Sequence, residues 1–277
     1  MATLTAATAS AQTRTVNAET LKTVIGRLVF VALLLGVWHW AATSTDMAGT
    51  LSTPLETSRA FAELLLRGEV WYDIYLTLQS SLLGLAICTV VGVLIGLLLS
   101  LGQHVYGSAS FVIDFLRTVP GLAIIPLGIL VFGPTLKLDL LMIIFSALWP
   151  VLLQTVSAVR QLDREILETV RTYRIPAWRR ILFVMLPACS PRIATGIRIA
   201  ATMSLLLALG TQLIAGSPGL GSRISLYQQN ASYADLFACI AIAGVLGILF
   251  NAGIRAIEEV SLKWHFVPRR NATEVGA

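Results

Sequence analysis

Charged side chains are scarce in this sequence. Asp, Glu, Lys and Arg make up 13% of its 277 residues against 56% hydrophobic, and the mean hydropathy is +0.79. That balance excludes an ordinary soluble domain. Lysine is nearly absent: Lys22, Lys137 and Lys263 are the only three, and none follows a glycine, so there is no GxxxxGK[ST] phosphate-binding loop. Neither HExxH nor GxSxG occurs, which removes a metalloprotease and a serine-hydrolase signature. The three cysteines (Cys88, Cys189, Cys239) form no CxxC, and His39, His104 and His265 are remote from one another. Neither a disulfide nor a metal site is therefore expected. His39, inside an apolar run, is read as a neutral, hydrogen-bonded side chain.

What the chain does have is long stretches without charge. They cover Leu28–Thr45, Ile74–Ile113, Thr118–Leu136, Leu140–Val159, Ile199–Ser222 and Leu236–Ile254. Five are 18 to 24 residues long, close to the roughly 20 needed to cross a hydrocarbon core. The 40-residue run holds one span, a polar break near Gly102–Ser108 and the start of the next. The reading is an all-α integral membrane protein with six spans near 28–45, 76–101, 111–133, 138–158, 193–216 and 236–256. Residues 1–24 are expected to be a mostly disordered tail and 266–277 a second tail. The charge-free interiors leave no carboxylate for a proton or sodium relay. Energy for uphill transport would have to come from a partner chain.

An even number of spans puts both termini on one side. With that side inside, 14 Lys and Arg fall on inner segments and four (Arg59, Arg67, Lys137, Arg223) on outer ones. This is a positive-inside pattern, so the net charge of +5 reports topology and lipid headgroups, not nucleic acid. The 27-residue polar leader before the first span is too long for a signal peptide.

The segment 159–192 breaks the apolar text with seven arginines: Arg160, Arg164, Arg171, Arg174, Arg179, Arg180 and Arg192. Pro176 splits it into two short helices. In the second, predicted over 176–186 and ended by Pro187, Trp178, Ile181, Leu182 and Met185 fall at i, i+3, i+4, i+7 and form one apolar stripe. A charged loop with its own amphipathic helix is a docking surface for another protein.

Elsewhere, Thr53, Pro54 and Glu56 spell a capping box for a helix running to about Arg67 and stopping at Gly68, with Leu55, Phe61, Leu65 and Leu66 on one face along the outer membrane surface. Gly92 and Gly96 form GxxxG, which serves either packing within one subunit or a dimer seam. Asp114 and Arg117 are an i, i+3 pair. Pro120 and Pro126 each remove a backbone hydrogen bond and bend the third span. Polar residues in the spans face either a solute pathway or neighbouring helices. The candidate pathway set is Arg117, Thr118, Pro120, Thr202, Ser204, Thr211 and Gln212, which suits a neutral or weakly anionic solute.

These residues resemble a known family. Glu168-Thr169-Val170, Arg174 six residues after the Glu, and Leu186-Pro187 resemble the EAA loop of bacterial binding-protein-dependent ABC importer permeases. Arg117-Thr118-Val119-Pro120, Ala123, Pro126-Leu127 and Phe132-Gly133 are similar to the third span of the nitrate/sulfonate/taurine branch, and Ser217 with Gly219-Leu220-Gly221 to its outer turn. The resemblance implies a type I importer permease in the bacterial inner membrane, both termini cytoplasmic. Two copies would form the pore, an ABC ATPase dimer holding ATP and Mg would dock beneath, and an outer binding protein would deliver the solute. No cofactor would bind this chain. Glu168, Arg171, Arg174, Pro176, Trp178, Arg179, Arg180, Ile181, Leu182, Met185, Leu186 and Pro187 would form the ATPase-coupling element. The expected solute is an organic anion or oxyanion, or a small aromatic or vitamin-like compound. A heterodimeric partner permease and an autonomous channel are the alternatives. Three departures stand out: Arg174 replaces the family glycine, where positive φ costs an arginine about 1 kcal/mol; Gln212 replaces an acid; Asp139 replaces a lysine.

Overall fold

The computed structural model describes residues 2–44, 49–100 and 102–262. All described regular elements are helical: α1 Ala2–Ser44, α2 Pro54–Leu66, α3 Gly68–Ser100, α4 Gln103–Thr118, a 3-10 turn Gly121–Ile124, α5 Ile125–Phe132, α6 Leu136–Arg160, α7 Arg164–Thr172, α8 Ala177–Arg179, a π-helical turn Arg180–Met185, α9 Leu186–Ala215, α10 Leu220–Gln229 and α11 Tyr233–Ser261. The expected 266–277 tail lies outside the described residues. Residues 2–24, the expected tail, fall within the bounds of α1. They carry six alanines and extend a helix already nucleated by the first span, where each added residue gains a hydrogen bond without a new nucleus.

Five helical segments are long and apolar enough to cross a membrane, and a sixth if Tyr106–Thr118 and Gly121–Phe132, bent by 77°, count together. The bend is sharper than two prolines in one helix predict. At Pro120 the chain leaves the helix, whereas Pro126 sits in the first turn of α5, where its missing N–H costs nothing.

The core is built around α6, which packs along α3 on one side and α9 on the other. Small residues permit the close approach. A Cβ on Gly92 would lie 2.9 Å from Val151 Cβ, and one on Gly96 2.7 Å from Thr155 Cβ. The GxxxG of α3 is thus used against α6 within one subunit. α9 begins with proline in its first turn and carries Pro191 inside, which cannot donate to the Pro187 carbonyl. Ser190 Oγ donates to that carbonyl instead, at 2.7 Å.

At the end of the bundle away from segment 159–192, the predicted capping box of α2 forms. Thr53 N donates to Glu56 Oε2 at 3.0 Å and Glu56 N to Thr53 Oγ1 at 3.3 Å. The Thr53 backbone N–H holds the Glu56 carboxyl below its ordinary value, although the group is exposed. The helix ends one residue early: Arg67 is extended and Gly68 already opens α3. Its buried face is Thr57, Ala60 and Leu64, packed on α11, while Leu55 and Leu66 point away. Docking on α11 rather than lying flat on lipid rotates the face. α1 touches the rest sparingly; Trp38 Nε1 donates to the Ser52 carbonyl at 3.0 Å and its ring lies 6.2 Å from Phe237.

Candidate coupling surface and intramembrane polar residues

Segment 159–192 folds as two helical pieces around a left-handed turn. Arg174 has φ +50, and the Ile175 N–H reaches back to the Val170 carbonyl at 3.2 Å. This is the geometry a C-terminal glycine provides, made here with an arginine. Val170 is the inward anchor of α7, 4% exposed, and Glu168 is exposed. Arg171 lies in the last turn of α7. Pro176 is extended and caps α8, and Arg180 N donates to its carbonyl at 3.0 Å.

The second helix does not stop at Pro187. From Ala177 through the π turn to Ala215 the backbone is helical without a break, roughly 55 Å at about 1.5 Å per residue. Pro187 stands in the first turn of α9, just after the π turn. The wider turn moves the backbone away from the proline ring and avoids its clash with the preceding turn. It also breaks the predicted stripe, because a π turn closes over five residues and i, i+3, i+4, i+7 no longer share a face. Met185 turns inward, Ile181 and Leu186 are half-buried, and Trp178 and Leu182 stay outside. Phe183, which the 3.6-residue spacing omits, joins them: its ring meets Trp178 edge-on at 6.3 Å, and the Arg179 guanidinium lies 5.0 Å above the Trp178 ring. Tyr173, Trp178, Leu182 and Phe183 are each more than half exposed. Arg180 is half-buried, and its Nε has no partner among the described residues.

The seven expected pathway residues do not gather in one cavity. Arg117 is exposed and pairs with Asp114 at 3.0 Å; Thr118 and Pro120 are exposed at the end of α4. Thr202 is exposed and donates to Asn251 Oδ1 at 2.9 Å, in a cleft of about 690 Å³ between α9 and α11 that also holds Arg198, Arg255 and Glu259. Arg198 is paired with Glu258 of α11. Ser204, Thr211 and Gln212 are fully buried.

Gln212 is the centre of a closed polar hub. Its Oε1 accepts from Thr77 Oγ1 at 2.8 Å and from the Gly221 N–H at 3.2 Å; its Nε2 donates to Asp139 Oδ2 at 3.3 Å and Ser80 Oγ at 3.4 Å. Both lone pairs and both protons of the amide are used. Ser217 Oγ donates to the other Asp139 oxygen at 2.6 Å, and the Leu220 N–H donates to Thr77 Oγ1 at 2.9 Å. Asp139 is 2% exposed and lies in the first turn of α6, where the helix dipole favours a carboxylate. Reading charge-free runs misses it, since it falls in the gap between two of them. The available signal is the pair of departures: Gln212 and Asp139, separately anomalous in sequence, touch. Beside the hub, Arg223 of α10 is clamped to Asp73 at 2.5 Å and Glu69 at 2.8 Å on α3.

Residues 88–261 match the family of binding-protein-dependent transport system inner membrane components. The chain belongs to that family. Relatives include a putative aliphatic sulfonates transport permease of Bacillus subtilis, 30% identical over 90% of this chain and 93% of that one. A taurine transport system permease of Escherichia coli is 25% identical over 85% and 88%. A nitrate import permease of Leptolyngbya laminosa is 24% identical over 84% and 86%. The permease therefore sits in the nitrate/sulfonate/taurine branch. Its fold is shared with the MetNI methionine ABC transporter in an inward-facing conformation, with a TM-score of 0.60, 17% identity, 71% of this chain covered and 95% of that one. It is a multi-pass membrane transport component.

Proposed function

We propose that the permease is the translocating subunit of an ATP-driven importer, powered by a separate ATPase dimer that docks on segment 159–192. The observation that carries this is the patch Tyr173, Trp178, Leu182 and Phe183, exposed at one end of a helical segment whose other end is buried in the bundle. An aromatic and apolar patch beside arginines fits a protein groove with acidic rims. Arg179, already over the Trp178 ring, faces such a rim, while Glu168 extends the contact along α7, the helix that also carries Arg171. ATP and Mg belong to the partner; this chain would bind neither. Movement of the docked end is carried into the membrane because α8, the π turn and α9 are one helical segment.

Two copies would form the pore, with both termini in the cytoplasm and an outer binding protein delivering the solute. The solute is a small oxyanion or organic anion, the class named for the sulfonate, taurine and nitrate relatives. Arg117, Thr118, Pro120 and Thr202, all exposed in one copy, are the positions open to line its path; Ser204 and Thr211 are buried in one copy, and Gln212 ties α9 to α3 and α6. Affinity purification from native membranes tests the reading, with Trp178→Ala, Arg179→Ala beside the wild type. An ATPase retained by wild type and lost by the double variant is the expected result. The co-purified binding protein, titrated with taurine, nitrate and an alkanesulfonate, then fixes the solute class. An ATPase that binds both forms equally defeats the coupling role of this patch.

A further inference from the structure

Five parts of the chain meet in the hub around Gln212: α3 through Thr77 and Ser80, α6 through Asp139, α9 through Gln212 itself, the turn through Ser217 on Asp139, and α10 through Leu220 on Thr77 and Gly221 on Gln212. The turn has no room to sit differently. A Cβ on Gly221 would meet the Leu209 carbonyl and Gln212 Cβ, and one on Gly219 the Gln212 amide. Gly216 closes α9 in the left-handed region with φ +74, which disfavours other side chains, and Gly219 has φ +151, which only glycine adopts readily. The orientation of the amide is set by the Gly221 N–H, which requires an oxygen, and this forces the NH2 toward Asp139.

We propose that Asp139 and Gln212 are positioning residues for transport: as a matched carboxylate–amide pair they seat the Ser217–Gly221 turn on α9, so that the turn moves only when the far end of α9 moves. This rests on the importer reading, in which displacement begins at the opposite end of that helical segment. The pair works by complementarity of donor and acceptor, and complementarity survives exchange. Asp139→Asn alone sets two NH2 groups against each other or strands an acceptor. Adding Gln212→Glu restores the donor–acceptor match between the two positions. The amide now at position 139 donates to the carboxylate now at position 212, which also accepts from Thr77 and the Gly221 N–H, while the Ser80 hydroxyl turns from the Thr77 carbonyl, still paired with Ser81, toward the new carboxylate.

The test uses a cysteine at Thr211, a buried position beside Gln212 whose hydroxyl has no partner among the described residues. The native cysteines are buried and serve as background. The permease with its ATPase, in lipid nanodiscs, is labelled with a membrane-impermeant maleimide, with no nucleotide and with ATP and vanadate. We expect slow labelling without nucleotide and faster labelling with it. Asp139→Asn should raise the nucleotide-free rate about tenfold and remove the nucleotide response, and the exchange variant should restore both. Equal rates for Asp139→Asn and the exchange variant overturn the proposal, as does a single variant that labels like the parent. If Asp139→Asn does not fold, Ser217→Ala takes its place: a smaller nucleotide-free increase supports the seat and no increase overturns it. Should no ATPase bind, the importer reading falls, while the nucleotide-free rates of the permease alone still decide whether the pair seats the turn.

Discussion

The two ends of the helical segment Ala177–Ala215 are built in opposite ways. At the loop end, large apolar side chains stand in solvent, a non-glycine residue holds positive φ and a half-buried guanidinium nitrogen lacks a partner among the described residues. At the far end, every polar atom of the Gln212 side chain is paired and the glycines Gly219 and Gly221 beside it admit no Cβ. An isolated chain gains nothing from the first arrangement, which fits the docking surface proposed for it. The second is complete within one copy. One helical segment thus joins an exposed apolar end to an end whose polar groups are paired within the chain.

The sharpest way to break that contrast is at the completed end. Gln212→Ala leaves one Asp139 oxygen and the Gly221 N–H without their partner and opens a buried cavity, and should cost at least about 3 kcal/mol, read as a fall in the detergent unfolding midpoint. A loss below about 1 kcal/mol would mean the hub is not a closed network. At the open end, Phe183→Ala should leave the unfolding midpoint unchanged and weaken ATPase affinity by about 2 kcal/mol, some 30-fold in Kd. The opposite pattern would make Phe183 a core residue. Arg174→Gly should stabilise the free permease by about 1 kcal/mol by removing left-handed strain, measured by urea unfolding in micelles. No gain there would show that the arginine side chain offsets its backbone strain locally.

The smallest effect is at α2. The folded-state pKa of Glu56 is depressed from the ordinary 4.5, so its contribution is present above pH 4.5 and lost as pH falls through the lower folded value. Thr53→Ala should cost about 1 kcal/mol at neutral pH. With Glu56→Gln, any acid sensitivity of α2 packing, followed by hydrogen exchange, should disappear.

Much of this is legible in sequence because the controlling physics is local. Charge-free lengths set the spans, Thr53-Pro54-Glu56 set a helix start, and Gly216 set the end of α9. The position of Arg174 foretells a left-handed turn, though not whether an arginine adopts it. The apolar stripe follows from a 3.6-residue period, and the π turn ahead of Pro187 moves Phe183 out and Met185 in. Polarity alone does not say which face of a span meets α6, so the buried junction of Gln212 with Thr77, Ser80 and Asp139 leaves no mark in it.

By itself the sequence determined the membrane class, the number and rough place of the spans, the caps and the location of the arginine-rich loop. Each follows from residues adjacent in the chain. Only the tertiary structure decided that GxxxG serves α6, that Asp139 meets Gln212 across 73 residues, and that the loop helix runs on into α9. Those outcomes depend on which helix faces which, and a hydrogen bond between distant residues leaves no periodicity in either segment to announce it.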